Sequence, residues 1–492
     1  MTNQNAQYDI VITGGRVMDP ESGLDAVRNV GIMNGEIDII TEQPITGRET
    51  IDAAGHVVAP GFIDLHAHGQ SPFDIKTKLR DGVTSPLEIE AGAYPVEVFY
   101  KEREGKAQAN YAVSIGHVWA RMAALDGIDP KGLGMYTGAM NACVVDGSQW
   151  HEKNTDDPND IERILANIEE GLQQGAVGIG VPVGYYNKCT SAELEAVFAL
   201  AKRYNTFIAT HVRYMSNTQP SGIMGVLEVI ALSFAYDVPL LIQHIHSTSL
   251  HRTKEALALV DAAQKRGLNV LAEAYPYDFG SSVIGADYLG EGFQENLLMD
   301  YSDILYIKTG ERMTKELLAK YRKEDPGGFM MMHHMRMEDV DAAMQHEGVI
   351  VGSDAMGFAD IHGKNLEWDD TPDKGVAHPR GAGAYAKTLR LVRERNYMPL
   401  MSAIAKMTYI TAKWLEDFVP AMKQLGRIKT GAIADITIFD PDTVTDNAVA
   451  ETGKFALPST GIPYVIVNGI IVVKDSEVLK VYPGRAINGG NG

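Results

Sequence analysis

Val57-Val58-Ala59-Pro60-Gly61-Phe62-Ile63-Asp64-Leu65-His66-Ala67-His68 is the stretch whose reading decides the fold. A short apolar run, read as a buried strand, ends in two histidines one residue apart. Side chains alternate faces along a strand, so His66 and His68 point the same way. At the carboxyl end of a barrel strand, two imidazoles on one face can bind one metal ion. A lone His-x-His is common by chance, so the weight falls on the other strand ends.

Downstream of this stretch, apolar strands alternate with helices. Candidate barrel strands are 57–66, 84–90, 111–118, 176–183, 206–211, 239–244, 269–275 and 348–353. Amphipathic segments Ile161–Gly171, Glu193–Tyr204 and Thr253–Arg266 lie between them. Thr190-Ser191-Ala192-Glu193 has capping-box spacing, and Gly267 suits a helix end. Eight alternations predict the α/β class and a (β/α)8 TIM barrel. A ninth strand candidate, Phe329–His334, falls in a long insertion at about 279–345, expected to be a lid.

Both chain ends are instead short strands broken by turns. Tyr8–Ile12, Val30–Ile32 and 37–40 precede the barrel; Ala434–Asp440 and Tyr464–Val473 follow it, with Asn-Gly at 34–35 and 468–469 as hairpin signals. Neither end can bury a large core alone, so the two are expected to pair into one small β-sandwich. The domains expected are 1–60 and 426–492 as halves of that sandwich, and 61–425 as the barrel.

A net charge of −20 argues against a nucleic-acid partner, which needs clustered positive charge. No apolar run reaches the roughly 18 residues of a membrane helix. The first residues lack the basic start and apolar core of a signal peptide. Cys143 and Cys189 are the only cysteines and lack metal-pair spacing. A cytoplasmic location is expected, and the sequence leaves a homo-oligomer open.

The active face of a parallel barrel lies where its strands end. His66 and His68 follow the first strand, His211 ends 206–211, His244 ends 239–244, and Asp354 follows 348–353. Any one of these histidines is more often a hydrogen-bonded core residue than a ligand. The ordered set His-x-His, His, His, Asp is poorly explained by chance.

The segments Ala59-Pro60-Gly61-Phe62-Ile63-Asp64, Gly175–Gly180, Ala209–Arg213, Ala274-Tyr275-Pro276-Tyr277, Gly352-Ser353-Asp354, His378-Pro379-Arg380 and Leu425–Asp435 span nearly the full length. Together they resemble the amidohydrolase superfamily, in its D-aminoacylase branch, the N-acyl-D-amino acid deacylases. The resemblance implies hydrolysis of a linear amide by metal-activated water, with one or two zinc ions. That branch places a cysteine ligand after the second strand, and this chain has none there. Glu88 and Glu90 share a strand face, and burial against the helices would be costly for a carboxylate. Glu90 is therefore read as the replacement ligand, bridging two ions if two are bound. A carboxylate is harder than a thiolate, which admits manganese or cobalt beside zinc. Glu88 is read either as orienting a ligand or bridging to His244, or as a buried salt bridge below the site.

In this reading Asp354 is general base and then acid, and a metal ligand as well if it reaches the ion. The resemblance assigns the substrate's α-carboxylate to His246, Tyr277, Ser281 or Ser282, and Arg380. The family has lysine where this chain has His246, which weakens that carboxylate assignment. Met330–Met335 reads as core beneath the lid rather than a soft-metal tract. Tyr185 and Tyr186 either line the pocket or pack at a loop; His117 reads as a core hydrogen bond. Two rival readings remain. One is a cyclic-amide hydrolase, dihydropyrimidinase/hydantoinase- or dihydroorotase-like, although no lysine sits where a carbamylated bridge would form. The other is a non-catalytic metal-binding scaffold.

Overall fold

A computed structural model of the 492-residue chain describes residues 7–131 and 148–489; Cys143 lies outside them. Strands rich in β-branched and apolar residues, such as Leu240–Ile242 and Val349–Val351, are buried along their whole length. That is the signature of a parallel sheet covered by helices. In order around the sheet come Val349–Val351, Val270–Ala274, Leu240–Ile242, Ile208–Thr210, Ile179–Val181, Val113–Gly116 and Glu88–Ala93, every pair parallel. Val83–Pro86 runs into Glu88–Ala93 after a break at Leu87 and pairs with Phe62–Asp64. A parallel bridge between Ala67 and Ala355 joins the first strand's end to the last. Among the described residues, the strands thus form a closed eight-membered (β/α) barrel.

Alternation sets what fills the barrel. Ile63, Ile89, Ala209, Leu241, Leu271 and Ile350 belong to one buried apolar cluster, capped by Trp414 and Leu415. Two residues further along the same strand faces stand His211, Gln243, Glu273 and Gly352. The polar site therefore rests directly on an apolar plug.

Several sequence expectations are corrected here. The stretch 57–66 is two strands: Val57–Pro60 pairs with Tyr8–Asp19 and Ile436–Phe439, and only Phe62–Asp64 enters the barrel. Gly61 marks the turn-off, where a Cβ would lie 2.3 Å from the Thr84 hydroxyl. Val113–Gly116 is shorter than expected, because His117 opens the helix His117–Asp126. Thr190 accepts from the Glu193 amide at 3.3 Å, but Glu193 does not complete a capping box. Its carboxylate instead meets His117 and Arg121 in the interior.

The chain ends form one nine-stranded sheet. Tyr8–Asp19 pairs along its length with Leu24–Met33, Gly47–Asp52 and Val57–Pro60, so the sheet branches there. Ile12, Ile32, Ile37 and Ile51 of the N-terminal part share a core with Ile436, Ile438, Ile466 and Ile471 of the C-terminal part. Both Asn-Gly pairs turn with positive φ at each residue, as a tight hairpin requires.

The insertion holds a four-stranded antiparallel sheet of Gly280–Val283, Phe329–Met332, Ile304–Tyr306 and Glu311–Arg312. Met330 and Met332 pack with Leu289, Phe293 and Tyr306 in a core of their own. The expected end at 345 is too late. Helix Met337–Gln345 leads straight into the last barrel strand and packs on its neighbour, so it is a barrel crossover.

Candidate metal centre

His66, His68, Glu90, His211, His244 and Asp354 converge, buried, at the carboxyl ends of the strands. The Nε2 atoms of His66 and His68 are 3.0 Å apart. Glu90 divides its carboxylate: Oε2 lies 3.3 Å from His66 and 3.4 Å from His68, while Oε1 lies 3.0 Å from His244 and 3.3 Å from His211. Asp354 Oδ1 stands 3.4 Å and 3.5 Å from the Nε2 atoms of His66 and His68.

Two further carboxylates fix the histidine pair. His66 Nδ1 is 2.7 Å from Glu273 Oε1, and His68 Nδ1 is 2.8 Å from Glu88 Oε2. A carboxylate accepts, so both Nδ1 atoms carry the proton and both Nε2 lone pairs face one point. Two lone pairs 3.0 Å apart repel unless positive charge lies between them. The electrostatics agree. Burial alone would lower the His66 pKa, yet Glu273, Asp354 and Glu90 hold it well above its ordinary value. Burial would raise Glu90, but His66, His211 and His244 hold it well below the usual carboxylate range. A buried cluster of imidazoles and carboxylates with converging lone pairs is a donor set that could hold a metal ion, and the outer carboxylates orient its histidines.

Local backbone is bent to this end. His244 (φ 26°) and Asp354 (φ 51°) both occupy left-handed conformations that side-chain-bearing residues rarely adopt. Such positions cost about 1–3 kcal/mol each and persist only where the surroundings impose them. For Asp354 that support is Arg380, whose Nε donates to the Asp354 carbonyl at 2.6 Å while Nη2 lies 2.7 Å from Oδ2. Burial would raise the Asp354 carboxyl, but Arg380 and His66 hold it well below the usual range.

Buried polar side chains pack beside the cluster. His246 stacks edge-on against Tyr275 at 4.4 Å, and the Arg380 guanidinium lies 4.5 Å from the same ring's centre. Burial and the neighbouring His244 push the His246 pKa well down, so it is neutral. Ser282 is buried beside the Tyr185 and Tyr288 hydroxyls, whereas Ser281 donates to the Met330 carbonyl. Tyr277 is turned away, with the Lys387 ammonium 3.6 Å from its ring centre and His378 edge-on at 5.2 Å. Tyr185 packs on His211 at 4.6 Å. Glu88 meets His68, not His244.

His117, Cys189 and Glu193 make a second cluster of ligand type, but it is already satisfied. Glu193 meets Arg121, Thr155 and His117, and Tyr186 closes on His117 Nδ1 at 3.0 Å.

Sequence reasoning missed Glu273, Tyr275 and His334. Glu273 left a legible signal, a carboxylate inside the apolar strand Val270-Leu271-Ala272-Glu273-Ala274. Gly352 beside it has no side chain to spare, since a Cβ there would stand 2.4 Å from the Glu273 carboxyl carbon.

No family model matches the chain. Among curated proteins, a dihydroorotase of Streptococcus pneumoniae serotype 4 is 30% identical over 453 residues, covering 88% of this chain and 90% of its own length. The chain belongs to the amidohydrolase superfamily, on its D-aminoacylase-like branch. An N-acyl-D-glutamate deacylase of Alcaligenes xylosoxydans xylosoxydans is 26% identical over 528 residues, 98% of this chain and 96% of that protein. The crystal structure of an N-acyl-D-glutamate deacylase from Bordetella bronchiseptica, complexed with zinc and a phosphonate inhibitor, superposes with a TM-score of 0.76 at 24% identity. It covers 98% of this chain and 99% of that one, and the likeness is one of fold. This amidohydrolase is a metal-dependent enzyme acting on carbon–nitrogen bonds other than peptide bonds, and its relatives act on small-molecule amides. Among its described residues no helix is long and apolar enough to cross a membrane.

Proposed function

We propose that this enzyme deacylates N-acyl-D-amino acids, with zinc held by His66, His68, Glu90, His211 and His244. The observation that carries the reading is the position of Asp354, with one oxygen toward the histidine pair and the other on Arg380. It thus stands at the junction of the ligand cluster and the polar pocket. Manganese or cobalt would also suit this nitrogen and oxygen set. The ion, when bound, supplies Lewis acidity toward a carbonyl and makes hydroxide accessible near neutral pH.

The chain's own residues do the rest. Glu273 and Glu88 keep the Nε2 lone pairs of His66 and His68 inward. Asp354, ionised and pinned by Arg380, takes the proton of the attacking water at Oδ1 and returns it to the departing nitrogen. The α-carboxylate falls to Arg380, whose Nη1 has no hydrogen-bond partner among the described residues, because neutral His246 offers no charge. Ser282 and Tyr275 complete the pocket in place of Ser281 and Tyr277. The insertion acts as the lid, the domains divide near residues 60 and 425, and the enzyme works in the cytoplasm.

The dihydroorotase relative favours a second reading, hydrolysis of a cyclic amide. Matched N-acetyl-D- and N-acetyl-L-amino acids, hydantoin and dihydrouracil, offered to zinc-reconstituted enzyme, separate the two. Release of free D-amino acid supports the proposal. Turnover of rings alone replaces it with the second reading.

A further inference from the structure

Beside Arg380, read above as the partner of the α-carboxylate, the protein leaves buried polar atoms unpaired. His334 follows strand Phe329–Met332 of the insertion and is 4% exposed. Its Nδ1 lies 2.9 Å from the Met332 carbonyl. A carbonyl can only accept, so Nδ1 bears the hydrogen and Nε2 of the neutral ring is a lone-pair acceptor. Burial pushes the His334 pKa down to about 4, so the ring stays neutral at working pH. Nε2 has no hydrogen-bond partner among the described residues.

The ring borders the site. A Cβ on Gly280 would lie 3.1 Å from His334 Cε1 and 3.3 Å from the Tyr275 hydroxyl, so the two side chains meet across a glycine. Tyr275 in turn touches His246 and lies beneath Arg380, which holds Asp354. Ser282, two residues beyond Gly280 on the same strand face, is likewise buried and lies beside the Tyr185 and Tyr288 hydroxyls. This wall offers a fixed acceptor, a neutral imidazole and a hydroxyl. Its neighbouring cation, Arg380, is engaged with Asp354 and with the α-carboxylate in the reading above.

We propose that His334 is a specificity residue whose Nε2 accepts a hydrogen bond from the substrate's side chain, so that the enzyme selects N-acyl-D-amino acids ending in a carboxamide or hydroxyl. A carboxylate side chain would set its lone pairs against that of Nε2, and a hydrocarbon would leave Nε2 buried and unpaired. A site built to hydrogen-bond a substrate group rejects analogues lacking it far more strongly than an apolar pocket discriminates by size. The inference rests on the N-acyl-D-amino acid reading.

The test compares N-acetyl-D-asparagine with N-acetyl-D-leucine, which is close to it in shape, and with N-acetyl-D-aspartate, on zinc-loaded enzyme. The wild type should favour asparagine over both by about tenfold or more in kcat/KM. His334→Leu should bring the asparagine-to-leucine ratio close to one, with the loss falling on asparagine and mainly in KM. His334→Gln, whose amide oxygen can accept in the same place, should restore part of the preference. A merely structural role would lower all three substrates together. Equal turnover of asparagine and leucine by the wild type, a preference for aspartate, or an unchanged ratio in His334→Leu overturns the proposal. Because the wild-type ratio decides by itself, a poorly folding variant does not spare it. Failure to hydrolyse any of the three overturns instead the functional reading on which it stands.

Discussion

Removing the Glu273 carboxylate should weaken metal binding without unfolding the barrel. Glu273 is fully buried and holds His66 Nδ1 at 2.7 Å. In Glu273→Leu the Nδ1–H loses its acceptor inside an apolar strand. A buried donor left unpaired costs about 1–3 kcal/mol. The ring can escape that cost by moving its proton to Nε2, which withdraws the lone pair that faces the metal position. Either way the penalty appears in the metal-bound state, and loss of such an orienting partner typically costs about 10–100-fold in affinity. At about 1.4 kcal/mol per decade, that range is roughly 1.4–2.8 kcal/mol, within the hydrogen-bond figure. Glu273→Gln keeps an acceptor of the same size and should lose less. Zinc affinity measured by competition with a chromophoric chelator, with circular dichroism to verify the fold, checks the series. Wild-type affinity in Glu273→Leu would refute the argument that this carboxylate sets the His66 tautomer.

Three other outcomes are expected. Asp354→Asn should keep most of its zinc, assayed by elemental analysis, and lose about 10²–10⁴-fold in kcat, since the group that moves the proton is gone. Glu90→Ala should lower metal occupancy, because both of its oxygens face histidine pairs; unchanged occupancy would remove Glu90 from the ligand set. Acid should destabilise the fold through Glu193. Burial would raise this carboxyl, but His117 and Arg121 lower it from 4.5 to about 2. A depressed carboxyl stabilises the fold above its unfolded pKa, and this contribution is lost as pH falls from about 4.5 to 2, on the order of 3 kcal/mol in all. Urea midpoints between pH 6 and pH 2.5 should therefore fall more steeply in the wild type than in Glu193→Gln, and parallel profiles would exclude Glu193 as the cause.

The sequence by itself determined the barrel, because eight apolar runs alternating with helical segments admit few other parallel arrangements. The order of the candidate ligands was legible too, because a strand end in a parallel barrel lies at the barrel mouth. The Asn-Gly hairpins were equally legible, since both residues must take positive φ. Boundaries were less so. A strand that leaves one sheet for another, as the chain does at Gly61, reads as one continuous apolar run until its partners are known. Only the tertiary structure decided which neighbour each polar side chain meets. Glu88 and Glu273 reach His68 and His66 across 20 and 207 residues of sequence. In the Tyr-Pro-Tyr segment, Tyr275 faces the site and Tyr277 faces Lys387. His334 meets Tyr275 across Gly280 from an insertion with a sheet of its own. Periodicity records which face a residue occupies within its own element. Which faces then meet depends on closure of the barrel and the docking of the insertion, and contacts of that range leave no mark on local spacing.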